Sequence, residues 1–177
     1  IFENHVDEII IVVPRKWEQD IQNEHPNHFV IIGGKTRRES SYQGLINCNK
    51  KTSKVLIHDA ARPFVKNKII IDCIDKLNEF DAVTTAIKPV DTIATITENS
   101  INNVLIRESC RLEQTPQAFK LDCILKAHKT IRATATDDIY LAYKMGVKCG
   151  IVDGCYSNFK ITNDIDLNLT EIILNKK

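Results

Sequence analysis

Glycine is scarce in this chain, with 6 in 177 residues, and the glycines present do not form a phosphate-binding signature. Gly34-Lys35-Thr36 lacks the glycine five residues earlier that a P-loop requires, since Phe29 stands there, and no Gly-x-Gly-x-x-Gly fingerprint occurs, which excludes a P-loop and a conventional dinucleotide fold. The six cysteines, at 48, 73, 110, 123, 149 and 155, include no Cys-x-x-Cys pair and no His-x3-His partner. That excludes the common zinc modules and argues against a disulfide framework. Cys73 and Cys123 read as small apolar fillers on helical faces. An excess of one charge is also missing: 24 Lys+Arg against 23 Asp+Glu leave a net charge of +1. Non-specific nucleic-acid binding, which depends on a cationic surplus, is not expected. Apolar runs such as Ile9–Pro14 and Lys68–Ile71 are too short to span a bilayer, and no secretory h-region opens the chain. The expectation is a soluble cytoplasmic protein, a single domain over 1–177, with neither membrane nor nucleic acid as partner.

What is there alternates between strand and helix. Glu8–Pro14 is a continuous β-branched run of the kind buried on both faces, and His28–Gly34 repeats it. Arg15–Glu24 reads as a short polar helix, Arg37–Asn49 as another, and Lys54–His58 as a third strand. Asn67–Phe80 carries Ile70, Ile71, Ile74 and Leu77 at helical spacing, and Ala82–Val90 is again extended. This order predicts an α/β fold: a Rossmann-like, doubly wound, mainly parallel sheet with its chemistry beyond the carboxyl ends of the strands. There Gly33-Gly34 and His58-Asp59 share one crevice.

The middle of the chain breaks the rhythm. Thr92–Glu98 and Asn103–Arg107 alternate β-formers around Glu98-Asn99-Ser100, which predicts a protruding β-hairpin arm. The arm, with its flanks at 92–115, is the expected dimerisation element. A helical pattern runs from Phe119 through Ile131. Asp137–Met145 follows, capped by Thr136 or Asp137 and stopped at Gly146. Val147–Val152 and Phe159–Ile161 read as short strands, and Thr162–Leu174 as a closing amphipathic helix with Asn163 or Asp164 near its start.

Three groups of residues can carry chemistry. His58-Asp59-Ala60-Ala61-Arg62-Pro63 ends a strand; its aspartate can ligate a cation or bond a sugar, or it can simply pair with Arg62 to close the loop. Gly33-Gly34-Lys35-Thr36-Arg37-Arg38-Glu39-Ser40 puts glycines before a helix N-terminus, where free N–H groups suit an anion or a base. Arg107, Thr115-Pro116-Gln117, Thr136-Asp137-Asp138 and Asn158-Phe159-Lys160-Ile161-Thr162 place hydroxyls and cations in turns and caps. Taken singly, each has a plain structural explanation.

Their order does not. GG-x-x-R-x-x-S, HDAARP, PVDT, an Arg ahead of TPQ, TDD and a Lys in FKIT together resemble the 2-C-methyl-D-erythritol 4-phosphate cytidylyltransferases of non-mevalonate isoprenoid biosynthesis. The resemblance extends from Val6 to the last helix. It implies CTP and methylerythritol phosphate as substrates, with CDP-methylerythritol and pyrophosphate as products. Mg²⁺ or another divalent cation would be the cofactor, and the arm would clasp a homodimer. Gly34 and Ser40 match contacts to the cytosine; Lys35 stands where the family often has an acidic or small residue. Asp59 matches a residue beside the triphosphate and metal, and Ala60 one near the ribose. Thr92, Thr115 and Thr136 match acceptor contacts. Arg107 and Lys160 match the pair that positions the acceptor phosphate, with Arg107, Thr115 and Thr136 expected from the neighbouring subunit.

Ribitol-5-phosphate cytidylyltransferases share this layout but tend to carry Val where Ala61 stands. A third possibility is a non-catalytic nucleotide-binding or dimerisation module. The family opens with a glycine-rich loop, Ala-Ala-Gly-x-Gly-x-Arg, whose Arg and a following Lys stabilise the transition state. The chain starts at Ile1, without Met, in register with the end of the helix after that loop. The expectation is therefore that a first βα unit is missing.

Overall fold

The computed structural model describes residues 1–132 and 135–175. β1 (Ile10–Val13) and β2 (Phe29–Ile32) pair in parallel, Ile10 opposite Phe29, with α1 (Glu18–Glu24) between them. α2 (Arg37–Ile46) then leads to β3 (Lys54–Ile57), α3 (Asn67–Lys76) and β4 (Ala82–Ile87). The arm follows as β5 (Ala94–Thr97) and β6 (Ser100–Val104), turning at Glu98 with φ 54°. β7 (Leu112–Lys120), α4 (Leu121–Thr130), α5 (Asp138–Lys144), β8 (Cys149–Asp153) and α6 (Asp164–Leu174) complete the chain.

The larger sheet has the order β3-β7-β4-β8, in which β4 and β8 are parallel and β7 runs against both its neighbours. Its side chains alternate between two cores. Ala82 and Phe119 point toward α4 and α5, where Ile124, Ala127 and Leu141 are fully buried. Val83 and Ala118 point the other way, onto Ile70 and Cys73 of α3 and Leu77 just beyond it. Helices thus cover both faces of an α/β sheet, the doubly wound arrangement. Each such large aliphatic or aromatic side chain contributes about 1.5–3 kcal/mol by leaving water.

Several expectations need correction. β1 and β2 are half-buried rather than enclosed, with Phe29 51% exposed, because their ladder is separate from the four-stranded sheet. In α3 the buried stripe is Ile69, Ile70 and Cys73, continued by Leu77 just past its end, while Ile71 is 42% exposed. Phe119 belongs to β7, and the helix begins only at Leu121. Thr115-Pro116-Gln117 is not a turn but lies in the buried centre of β7. The proline is tolerated there because the ladder to β4 slips at that point: Thr84 pairs with Gln117, and Thr85 already with Gln114. Phe159–Ile161 is a loop, not a strand. No helix among the described residues is long and apolar enough to cross a membrane.

Candidate active site

The slip in β7 leaves Thr115 free of the ladder and turned toward the end of β3. Its hydroxyl accepts from the Asp59 amide at 3.0 Å and bonds His58 Nδ1 at 3.1 Å. His58 Nε2 reaches the Arg62 carbonyl at 3.0 Å, so the histidine is a loop hydrogen-bonder, as its sequence context suggested. Burial pushes its pKa down, more than the Arg62 carbonyl and Asp59 raise it. These contacts hold Asp59 at the strand tip.

Lys160 arrives on a loop pinned from below. Asn158 is fully buried, donating to Gln114 Oε1 at 3.2 Å and to the Thr115 carbonyl at 2.8 Å. The Asn158 carbonyl accepts from Arg62 Nη1 at 2.8 Å, and the Ile161 amide donates to the Ala61 carbonyl at 2.8 Å. Downstream, Asn163 caps α6 in a reciprocal box with Asp166. The result places Lys160 Nζ 3.1 Å from Asp59 Oδ2.

The third contributor is the start of α2. Thr36 caps the helix, its hydroxyl accepting from the Glu39 amide at 3.1 Å, and Glu39 curls back to accept from the Lys35 and Thr36 amides at 2.6 and 3.2 Å. The Lys35 and Thr36 amides are therefore taken by Glu39, and the Glu39 amide by Thr36. Thr-x-x-Glu is a capping-box signature that was legible in the sequence. A β-carbon on Gly34 would lie 2.1 Å from that of Glu39, so the close approach demands glycine. Ser40 spends its hydroxyl on the Thr36 carbonyl at 3.0 Å.

At the first position of α2, Arg37 spans the cleft. Its Nη1 donates to Asp138 at 2.7 Å, its Nε lies 3.5 Å from Asp59 Oδ1, and its Nη2 lies 3.7 Å from Asp137. Arg62 Nε is 3.6 Å from the second Asp59 oxygen. Three cations thus face three carboxylates. Burial alone would raise the pKa of Asp59, but the Lys160 hydrogen bond and charge, then Arg37 and Arg62, hold it below the usual carboxylate value. Asp137 goes the other way, raised by burial and by Asp59 and Asp138 against Arg37. Asp137, not Thr136, is the N-cap of α5, though its side chain makes no capping bond.

Of the residues singled out from sequence, Asp59, Lys160 and Thr115 meet, with Ala60, Gly34 and Ser40 on the adjoining turns. Thr115 bonds the Asp59 amide and His58 of its own chain. Thr92 and Thr136 are exposed at the chain surface. Arg107 stands apart on the arm, its Nη1 donating to the Val90 carbonyl at 2.9 Å and its Nη2 3.7 Å from Glu108. Arg37, Asp138 and His128 had been given no role; nothing local in the sequence marks contacts between such distant segments. Among the described residues no group of three or more His, Cys, Asp or Glu is arranged to hold a metal ion.

The family described as "IspD: 2-C-methyl-D-erythritol 4-phosphate cytidylyltransferase" matches residues 2–176. The 2-C-methyl-D-erythritol 4-phosphate cytidylyltransferase of Clostridioides difficile (strain 630) is 35% identical over 185 aligned residues, covering 98% of this chain and 78% of the relative. That of Thermotoga neapolitana is 39% identical, covering 96% and 78%. The crystal structure of 4-diphosphocytidyl-2C-methyl-D-erythritol synthase from Anaerococcus prevotii DSM 20548 superposes with a TM-score of 0.90 at 29% identity, covering 97% of this chain and 83% of that one.

Proposed function

This chain belongs to the 2-C-methyl-D-erythritol 4-phosphate cytidylyltransferase family, and on that footing we propose that the cluster around Asp59 is where it transfers the cytidylyl group of CTP to methylerythritol phosphate. The observation that carries the assignment is the convergence of Lys160, Arg37 and Arg62 on Asp59 at 3.1–3.6 Å, at the carboxyl end of β3. In an open α/β sheet that is where ligands bind.

The reaction is a substitution at phosphorus. The acceptor phosphate oxygen bonds to the α-phosphorus of CTP, the bond to the β-phosphate oxygen breaks, and pyrophosphate leaves. Both reactants are polyanions, so the task is alignment and charge neutralisation. A phosphate dianion is already a nucleophile and needs no general base. Gly34 and Ser40 fit the base, Ala60 the ribose, and Lys160 the acceptor phosphate as a compact charge. Thr136, exposed beside Asp137, is open to the acceptor.

A hard divalent cation needs an ionised carboxylate beside the phosphates. Asp59, held ionised, meets that need with one protein ligand, leaving the remaining positions to phosphate and water; bound there, Mg²⁺ would offset charge on the triphosphate. The arm supports a homodimer: Ile96, Ile101 and Val104 are exposed apolar residues on a two-stranded ribbon, which is poorly stable by itself. Arg107 and Thr92 flank that ribbon and serve the acceptor of the neighbouring subunit.

The test is pyrophosphate release with Mg²⁺. Release only when CTP and methylerythritol phosphate are both present supports the assignment. Turnover of ribitol 5-phosphate instead moves the chain to the teichoic-acid branch, and CTP binding without turnover of either acceptor leaves a binding module.

A further inference from the structure

Resting on the reading that CTP binds against Asp59 and α2, we propose that His128 is a positioning residue for the nucleotide, acting through Asp138 and Arg37. His128 lies on α4 among core positions, beside the fully buried Ile124 and Ala127, where an imidazole has no packing advantage. Its Nε2 lies 2.9 Å from Asp138 Oδ1, and the two side chains are 2% and 1% exposed. The ring is held in place: Tyr42 stacks on it at 5.6 Å between centroids, and Arg38 donates to the His128 and Ile131 carbonyls.

The other Asp138 oxygen accepts from Arg37 Nη1 at 2.7 Å and Ser41 Oγ at 3.1 Å. Each carboxylate oxygen is thereby committed, and the carboxylate cannot rotate without losing a buried bond. Arg37 is the end of the chain. A guanidinium is planar and rigid, so fixing Nη1 fixes the direction of its other donors. Nε then points to Asp59, while Nη2 is buried with no hydrogen-bond partner, a donor unspent by the protein. Arg37 alone could swing between Asp59, Asp137 and Asp138. The imidazole, by holding Asp138, selects one orientation and presents the α2 cation and the Asp59 tip to the ligand together.

The experiment titrates CTP with Mg²⁺, without acceptor, into the full chain and its variants by calorimetry, alongside thermal midpoints. His128→Asn keeps a polar amide but is too short to reach Asp138; His128→Gln reaches it. We expect H128N and Arg37→Lys each to weaken CTP about 5- to 20-fold, with the H128N/R37K double variant no weaker than R37K, because the two act on one element. H128Q restores affinity to within about 2-fold of the original, as expected when a single donated bond is the coupling. Unchanged CTP affinity in H128N, or losses that multiply in the double variant, overturns the inference. A lowered midpoint in H128N and H128Q alike, with affinity intact, also overturns it and assigns His128 to packing alone. If the unmodified chain takes no CTP, the functional reading itself fails, and this inference with it.

Discussion

Lys160 Nζ stands 3.1 Å from Asp59 Oδ2, the lysine carried by the loop after β8 and the aspartate by the loop after β3. Asp59 is also faced by Arg37 and Arg62, so it serves as common counter-ion to cations from three segments. A polyanionic ligand entering the cleft competes with Asp59 for those cations, which links substrate binding to the rearrangement of an existing network.

On the proposed role of Lys160, its replacement with Ala removes the charge that faces the acceptor and leaves the nucleotide contacts. A lost charge-assisted hydrogen bond is worth about 1.5–3 kcal/mol, or roughly 10- to 100-fold in kcat/KM. We expect that loss for the acceptor, with CTP affinity changed far less. Steady-state kinetics with a CTP titration decide it; equal loss of both substrates counts against the assignment.

Asp138 predicts an acid limb in stability. Burial favours its neutral form, but hydrogen bonds from His128 and Arg37 and the Arg37 charge outweigh this and hold its pKa below the ordinary value. The folded state therefore prefers the ionised group. That contribution is complete above the unfolded value of about 3.9 and fades as pH falls through the lower folded value. Asp138→Asn should flatten the fall in thermal midpoint across this acid window. It should also cost about 3–5 kcal/mol near neutrality, because it strands Arg37 and His128. A variant with the original acid limb would assign that limb to other carboxylates.

Gly34→Ala drives a methyl into Glu39. Relief requires Glu39 to leave the Lys35 and Thr36 amides, breaking the capping box at a cost of about 1 kcal/mol. We expect a lower thermal midpoint together with weaker CTP binding. Normal CTP affinity in a folded G34A protein removes Gly34 from the base pocket.

Ile96 and Ile101 are directly paired across the arm and are 71% and 69% exposed. Lysine at both positions should convert a dimer to monomers by analytical ultracentrifugation, leaving the thermal transition of the sheet in place and acceptor turnover lost. A variant that stays dimeric assigns the interface elsewhere.

The alternation of β-branched runs with helical spacings was enough to read the α/β order, the presence of the arm and the cap of α6, though the arm's second strand runs Ser100–Val104 rather than Asn103–Arg107. It failed at β7, where Pro116 punctuates a strand that only a ladder slip makes possible. It failed again at Phe159–Ile161, whose β-forming side chains sit in a loop tied down by the buried Asn158. Asp59 and Lys160 could be picked out because they lie in motifs. Arg37 could not be given its role, since its reach to Asp138 depends on the packing of α2 against α4 and α5.

One backbone bond has a wider consequence. The Ile161 amide donates to the Ala61 carbonyl, joining the residue after Lys160 to the residue after Ala60. The ribose-side turn and the acceptor-side turn are therefore a single mechanical part. Under the proposed roles, a shift of Ala60 on seating the nucleotide is expected to reach Lys160 through this bond. By linkage, whatever factor CTP imposes on acceptor affinity, the acceptor returns to CTP.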